Sequence, residues 1–380
     1  MERRNFLSGA AAAAAAFTVK EVAFPGAASA QTRGGPAAAA EPQKLVTQLW
    51  SRHLQWVSTR AQANADPYGT GIKVGEALLA AGYAAVDLTV RSDGHVQPDL
   101  VATNLPQMLN GIRSTGAICD HIGVNIAPPA DPTNTAWITT QFVHEILSVA
   151  GANGIRKYRF NNSGAASFAA NTFGDQMTTL LDGVRLNHRR LAAINERYGK
   201  LCGVAHTHGS NIGTTVYDYA YAMQSIDPNL IGLNLAIGHV ATAAPGTTWQ
   251  TALRRNMSSI KCTAVEDLKA TINATTGALS IGRVQPTGAT GTGGGVINWA
   301  TFYSLLRLGG FSGAAESQIE YTITGANGTS VSLNSAFFAD HAQFASGNLT
   351  PAVMIAAMKM DSDFIRQRAL AGGWAAAQIV

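Results

Sequence analysis

The stretch GIKVGEALLAAGYAAVDLTV, residues 71–90, joins a helical pattern to a strand pattern through a glycine. In its first half, apolar residues recur every three or four positions, which is the spacing of an amphipathic helix. Gly82 stands where that spacing stops, as is typical of a helix C-terminus. Residues 84–90 then form a short run of apolar and β-branched residues. The stretch therefore predicts a helix that is followed directly by a strand.

The same unit recurs along the chain. Alternating strands and helices predict parallel strands joined by crossover helices, and eight units predict a closed (β/α)₈ barrel over residues 43–380 with a C-terminal helical extension. A doubly wound open sheet is the alternative, but no G-x-G-x-x-G follows the first strand. The eight runs that read as strands are residues 53–58, 84–90, 117–126, 155–161, 200–208, 230–240, 257–266 and 316–323.

The N-terminus has the pattern of an export signal. MERRNFL carries paired arginines before an apolar alanine-rich run, and Ala28-Ser29-Ala30 fits a cleavage site. We expect residues 1–30 to be a twin-arginine signal peptide, residues 31–42 a disordered spacer, and the mature protein to be periplasmic or otherwise exported. An Ala-rich helix or a general secretory signal is the alternative.

Composition excludes several classes of function. The chain has 380 residues, of which 46% are hydrophobic and 13% charged, and it has no basic run. We therefore expect no nucleic-acid partner, and no membrane partner once the signal is removed. The three cysteines form no C-x-x-C pair and are expected to be buried free thiols. The sequence leaves open whether the chain forms a homo-oligomer.

Function in a (β/α)₈ barrel belongs at the C-terminal ends of the strands. The run GVAHTHGS, residues 203–210, ends the fifth strand on His206 and His208. Two histidines at i and i+2 point to one side of a strand, which suits a metal site, a sugar-binding pocket or simply a polar strand end. The other predicted strand ends are also polar, with Gln55, Trp56, Asp87, Arg91, His95, Asn125, Arg159, Asn161, Asn234, His239, Lys261, Glu266, Glu320 and Tyr321.

Several of these segments resemble a known family. GYAAVDLTVRSDGHVQPDL (82–100), GIRKYRF (154–160), GVAHTHGS, GLNLAIGHV (232–240) and GGGVINWATFYSLLRLGGFSG (293–313) ahead of IEY (319–321) are similar to the sugar phosphate isomerase/epimerase group of xylose isomerase-like TIM barrels. The resemblance runs from about residue 50 to the C-terminal helix. It implies a divalent metal (Mn, Mg or Zn) at the barrel mouth and metal-assisted proton transfer on a small-molecule carbohydrate.

The resemblance also implies roles for individual residues. Metal ligands would be His206, His239 and Glu320, and the catalytic groups would be Glu320, His206 and His208. Export argues against a phosphorylated sugar, so a free or keto sugar is expected. Its oxygens would be bound by Arg91, His95, Arg159, Asn234 and Lys261.

The chain departs from the family pattern at several positions. Ala236 replaces an aspartate, Ser259 stands where relatives often have histidine, Cys262 follows Lys261 in place of aspartate, and Gln318 precedes the final glutamate. Alanine cannot coordinate a metal. Three explanations stay open: a rearranged site of His206, His208, His239 and Glu320, sugar binding without metal, or an inactive relative. The first hypothesis is an exported isomerase or epimerase (or a lyase), and the alternative is a non-catalytic carbohydrate-binding barrel. A nuclease would need a basic groove, which the chain lacks.

Overall fold

The protein folds around a closed barrel of eight parallel strands. A computed structural model describes residues 43–161, 173–208, 216–243, 247–277, 279–284, 295–334 and 337–380. The predicted signal peptide and spacer, residues 1–42, lie outside this range. The barrel strands, numbered in chain order, are β1 (Leu45–Trp50), β2 (Ala85–Val90), β3 (Ile118–Val124), β4 (Lys157–Phe160), β5 (Cys202–His206), β6 (Ile231–Ala236), β7 (Ile260–Val265) and β10 (Gly313–Ser317).

Each barrel strand pairs in parallel with the next one along the chain, and β10 closes the barrel between β7 and β1. This arrangement confirms the predicted (β/α)₈ barrel. Two antiparallel hairpins are added to it, β8 (Asp267–Ile272) with β9 (Leu279–Val284) and β11 (Thr322–Thr324) with β12 (Ser330–Ser332).

The helices connect the strands and surround the barrel. They are α1 (Arg60–Ala65), α2 (Pro67–Ala80), α3 (Val101–Ser114), α4 (Ala136–Thr139), α5 (Gln141–Ala152), α6 (Asp175–Arg197), α7 (Val216–Ala222), α8 (Ile237–Ala243), α9 (Thr248–Asn256), α10 (Trp299–Leu308), α11 (Ala342–Ala345) and α12 (Pro351–Ala371). Within the described part of the chain, no helix combines the length and the apolar character that crossing a bilayer requires.

The α2–β2 unit forms as its sequence predicts. Helix α2 begins behind Asp66, whose side chain accepts a hydrogen bond from the Gly69 N–H, with Pro67 in the first turn. After the helix, Gly82 adopts a φ of +81°, a conformation that side-chain-bearing residues disfavour. All six residues of β2 are buried, as expected for a parallel strand covered on both faces.

Two predicted strands are wrong in position. Residues 53–58 fall largely in a 3₁₀ segment, Ser51–Val57, and the first strand lies before them at Leu45–Trp50. Five residues of the 3₁₀ segment are buried, so its apolar pattern mimics that of a strand. The last barrel strand is Gly313–Ser317 rather than 316–323, because the chain leaves the barrel early and enters the β11–β12 hairpin.

The barrel interior is apolar near the N-terminal ends of the strands and polar near their C-terminal ends. Cys202, Val204, Cys262 and Ala314 form a small buried cluster in the N-terminal half. All three cysteines are free and buried, which confirms that prediction. Burial raises the pKa of Cys119 to about 12, so this thiol stays protonated.

Candidate functional site

One cavity opens at the C-terminal ends of the barrel strands, with a volume of about 190 Å³. This is the end at which (β/α)₈ barrels carry their function. Its walls combine cationic, imidazole, amide and carboxylate groups with one indole, so it can bind a small polar molecule by hydrogen bonds. The lining residues are Trp50, Arg91, Arg159, Asn161, His206, His208, Gln318 and Glu320.

The paired histidines lie on one wall of this cavity. Strand β5 ends at His206, where the Tyr219 hydroxyl donates to the backbone carbonyl at 2.8 Å. Thr207 Oγ1 accepts the Ala236 N–H at 2.8 Å, which ties the end of β5 to the end of β6. The ring centroids of His206 and His208 are 5.9 Å apart. Both side chains therefore reach the same cavity, as their spacing predicts.

His239 joins this pair from the first turn of α8. Its ring centroid lies 4.3 Å from that of His208 and 6.3 Å from that of His206. On its other side, His239 Nε2 is 3.4 Å from Glu266 Oε1, and the Glu266 side chain is only 2% exposed. The buried carboxylate orients His239, so three imidazoles form one cluster beside the cavity.

Arg159 contributes to the wall from β4, the strand next to β5. Its Nε donates to Asp87 Oδ2 at 3.1 Å, and its guanidinium lies 4.5 Å from the ring centre of Trp50. Burial acts to lower the pKa of Arg159, but the charges of Asp87 and Glu316 outweigh it and raise that pKa. Arg159 is therefore a permanent, fixed cation at the cavity.

The carboxyl groups of Asp87 and Glu316 form a buried pair below the cavity. Gln48 donates to Glu316 Oε2 at 2.8 Å, Gln318 donates to Glu316 Oε1 at 2.8 Å, and Gln48 also contacts His121 at 3.3 Å. Burial raises the pKa of Asp87, and Arg159 opposes this rise. Burial also raises the pKa of Glu316, and the neighbouring charge of Asp87 adds to the rise. The pair therefore holds a proton more strongly than free carboxyl groups do.

Glu320 reaches the cavity from the segment after β10. Its Oε1 lies 3.8 Å from Arg52 Nη1, and both side chains are mostly covered, with exposed fractions of 10% and 19%. The segment is held where the Ile319 N–H donates to His53 Nε2 at 3.0 Å. Burial, followed by the charges of Arg52 and Arg159, lowers the pKa of His53 to about 3, so the ring stays neutral and accepts this bond.

The remaining predicted site residues are not among those that line the cavity. Asn234 is fully buried in β6 beside His206, and neither its amide oxygen nor its amide nitrogen has a hydrogen-bond partner among the described residues. His95 is buried 6.1 Å from the ring of Phe338, and burial lowers its pKa to about 4. Lys261 is the second residue of β7, not its end, and bonds Asn229 at 3.2 Å near the other end of the barrel.

The donor groups do not fit a divalent metal ion. Among the described residues, no three or more His, Cys, Asp and Glu side chains are grouped so that they could hold one. Ser259 lies before the start of β7, so it cannot face the cavity. In the register of the barrel, Ala236 of β6 pairs with Ala264 of β7, and Ala264 pairs in turn with Glu316 of β10. Alanine thus occupies the mouth end of two adjacent strands, where a ligand atom would be needed.

Several solved structures with a barrel of this kind match most of the length of this chain. The protein called IOLI, crystallised with a zinc atom, matches with a TM-score of 0.56 at 12% identity, over 85% of this chain and 98% of that one. D-allulose 3-epimerase from Methylomonas sp., in complex with D-allulose, matches with a TM-score of 0.54 at 12% identity, over 86% and 98%. The fold is that of a xylose isomerase-like TIM barrel.

A third match is a xylose isomerase-like TIM barrel protein from Mycobacterium smegmatis in complex with magnesium, with a TM-score of 0.54 at 10% identity over 86% of this chain and 98% of that one. At these identities the similarity establishes the fold alone. No protein-family model matches the sequence, and no curated protein does.

The sequence did not point to three residues that lie in or next to the cavity. Trp50 and Arg52 fall at the junction between β1 and the 3₁₀ segment, which was predicted as a strand. Glu316 was placed at the start of the last strand, although it is the fourth of the five residues in β10 and is fully buried. The available signal was a charged residue inside an otherwise small and apolar run, GAAES, which needs a buried partner.

Proposed function

We propose that the protein is an exported enzyme of the sugar isomerase/epimerase type that moves a proton on a free or keto sugar. The observation that carries this proposal is the cavity itself: His206, His208 and Glu320, which can exchange protons, line it together with Arg159. A carbohydrate fits the cavity's polar walls and its volume of about 190 Å³.

The chemistry follows from what these side chains can do. A base removes the proton from a carbon next to the sugar's carbonyl group, and Arg159 stabilises the negative charge that develops on the carbonyl oxygen. Return of a proton to the opposite face of the same carbon gives an epimer, and return to the neighbouring carbon gives an isomer. We assign the proton transfers to Glu320 and to the pair His206 and His208. A divalent ion enters none of these steps, since the donor groups do not fit one.

A carbohydrate-binding barrel without catalysis is the second candidate. Ala236 and Ala264, at the mouth ends of β6 and β7, favour it because neither side chain can hold a metal ion or exchange a proton. The two candidates share the ligand class and differ only in proton transfer. A measurement of proton exchange therefore separates them.

The test is exchange of sugar C–H protons in D₂O, followed by ¹H NMR, with the purified protein and a panel of ketoses, aldoses and keto sugars. We expect exchange at the carbon next to the carbonyl with at least one sugar. Glu320→Gln and His206→Gln should each slow this exchange by about 100-fold or more, the usual size of a general acid–base contribution. His144→Gln, which alters a histidine that contacts Tyr198 outside the cavity, should not change the rate.

Binding of sugars without exchange above the buffer rate would reject the enzyme and leave the binding protein. Failure of every sugar to bind would reject both candidates.

Export is the second part of the proposal. It is supported by the paired Arg3 and Arg4 ahead of an apolar run and by the Ala28-Ser29-Ala30 site. We expect the wild-type chain to appear outside the inner membrane in a shorter form, and Arg3→Lys/Arg4→Lys to retain it inside at full length. Fractionation followed by mass spectrometry measures both, and an unprocessed cytoplasmic wild-type protein would contradict export.

A further inference from the structure

Two arginines line the cavity, Arg91 and Arg159, and a third, Arg52, packs on the indole that also lines it. Arg159 lies 4.5 Å and Arg52 lies 5.1 Å from the ring centre of Trp50. Arg91 lines the same cavity as Trp50 and Arg159. Arginine stacked on an aromatic ring presents a fixed, planar fork of donors, which matches a carboxylate better than a single hydroxyl group.

The three cations are close enough to affect one another. Burial lowers the pKa of Arg91; the carboxylate of Asp93 opposes this, and the charges of Arg159 and Arg52 add to the lowering. Like charges brought together out of water repel unless an anion lies between them. The carboxylates of Asp93 and Asp87 offset part of this repulsion at Arg91, and an anionic ligand between the arginines would offset more of it.

A carboxylate of the protein contacts each of these three arginines. Asp87, fully buried beneath it, contacts Arg159 at 3.1 Å, and Asp93 contacts Arg91 at 3.2 Å with 41% of its side chain exposed. Glu320, which lines the cavity, is 3.8 Å from Arg52. Arg159 Nη2 is buried and has no hydrogen-bond partner among the described residues, so this edge of the guanidinium group can donate to a ligand.

The indole supplies a further donor. Trp50 is 4% exposed, and its Nε1–H is buried without a hydrogen-bond acceptor among the described residues. A buried donor without a partner costs about 1–3 kcal/mol. A ligand oxygen at this side of the cavity would satisfy it after a small movement of the ring.

We propose that the cavity binds acidic sugars, with Arg91 and Arg159, which line it together with Trp50, receiving the sugar's carboxylate. This inference rests on the proposed function, because it concerns the same cavity. It specifies the substrate class as a uronic or other carboxylated sugar rather than a neutral one.

The test compares matched sugars by calorimetric titration of the purified protein: D-glucuronate with D-glucose, and D-galacturonate with D-galactose. We expect the acid to bind at least about tenfold more tightly than its neutral partner, and this preference to shrink as salt is raised. Arg91→Gln should remove most of the preference, because it weakens binding of the acid more than binding of the neutral sugar. Arg91→Lys should retain part of it, and Arg189→Gln, on the exposed face of α6, should change nothing.

Two further ligands identify the source of any effect. Acetate should bind far more weakly than the sugar acids, since it lacks the hydroxyl groups, and D-glucose 6-phosphate should bind no better than D-glucuronate. Equal affinity for acids and neutral sugars, or tighter binding of the phosphate, would overturn the inference. The deuterium exchange experiment is independent of this one, so acid binding without exchange would reject only the catalytic proposal, and exchange without an acid preference only this inference.

Discussion

At the scale of single residues, the close fit between Gly123 and the Asp87–Arg159 ion pair controls the cavity wall. A Cβ atom at position 123 would lie 3.1 Å from Asp87 Oδ1 and 3.2 Å from Arg159 Nη2. Both distances are shorter than ordinary van der Waals contacts, and both partners are almost fully buried. Because Gly123 has no side chain, β3 leaves enough space for the Asp87–Arg159 ion pair.

We predict that Gly123→Ala destabilises the protein by about 1–3 kcal/mol, because the added methyl group overpacks a rigid interior and pushes the ion pair aside. It should also weaken sugar binding, since Arg159 moves with Asp87. Urea unfolding measures the first effect and titration the second. Gly282→Ala is the control: no heavy atom of the described residues lies within 4 Å of a Cβ there, so a loss of similar size in both variants would contradict the explanation.

At the scale of elements, the sequence predicted the barrel but misplaced its first and last strands. Periodicity identified the middle strands because each is bounded by a helix with clear spacing, as α2 and β2 show. It failed at residues 53–58, since a buried 3₁₀ segment and a buried strand give similar apolar runs. The site was predictable where a strand end carries its chemistry, as at His206. It was not predictable at Glu316, whose role depends on partners contributed by β1 and β2.

The β8–β9 and β11–β12 hairpins differ in how closely they pack against the hydrophobic core. In β8, Ile272 is 72% exposed, whereas Ile323 in β11 is 9% exposed and belongs to the main hydrophobic core together with Val331 in β12. An isolated two-stranded hairpin has little stability of its own. The β11–β12 hairpin is therefore held by its packing, and it follows directly after Glu320.

We predict that Ile323→Ala lowers the free energy of unfolding by about 2–5 kcal/mol, the usual cost of removing a buried isoleucine side chain. Ile272→Ala, the same substitution at an exposed position, should change it by less than about 0.5 kcal/mol. Urea denaturation of both variants makes the comparison. Similar losses at the two positions would show that Ile272 is buried in solution, for example against a second molecule.

At the scale of the whole molecule, four buried histidines with lowered pKa values couple stability to pH. Burial lowers the pKa of His53 to about 3 and those of His95, His121 and His188 to about 4, from 6.5. The unfolded chain therefore binds protons between about pH 6.5 and 4 that the folded protein does not bind. In the opposite sense, the raised pKa values of Asp87, Asp267 and Glu316 favour the folded state at low pH, and this stabilisation is lost as pH rises through those values. Four histidines oppose three carboxyl groups, so the histidines should dominate.

We predict that the free energy of unfolding falls as pH is lowered from about 6.5 towards 4, with a slope of at most about 5 kcal/mol per pH unit, the value for four protons. His188→Leu should reduce that slope by about 1.4 kcal/mol per pH unit, because it removes one group that must stay neutral beside Phe160. Urea denaturation at half-unit pH intervals measures both slopes, and His144→Gln, at a partly exposed position, serves as the control. A free energy of unfolding that stays constant or rises on acidification would mean that the buried carboxyl groups, rather than the histidines, determine how stability responds to acid.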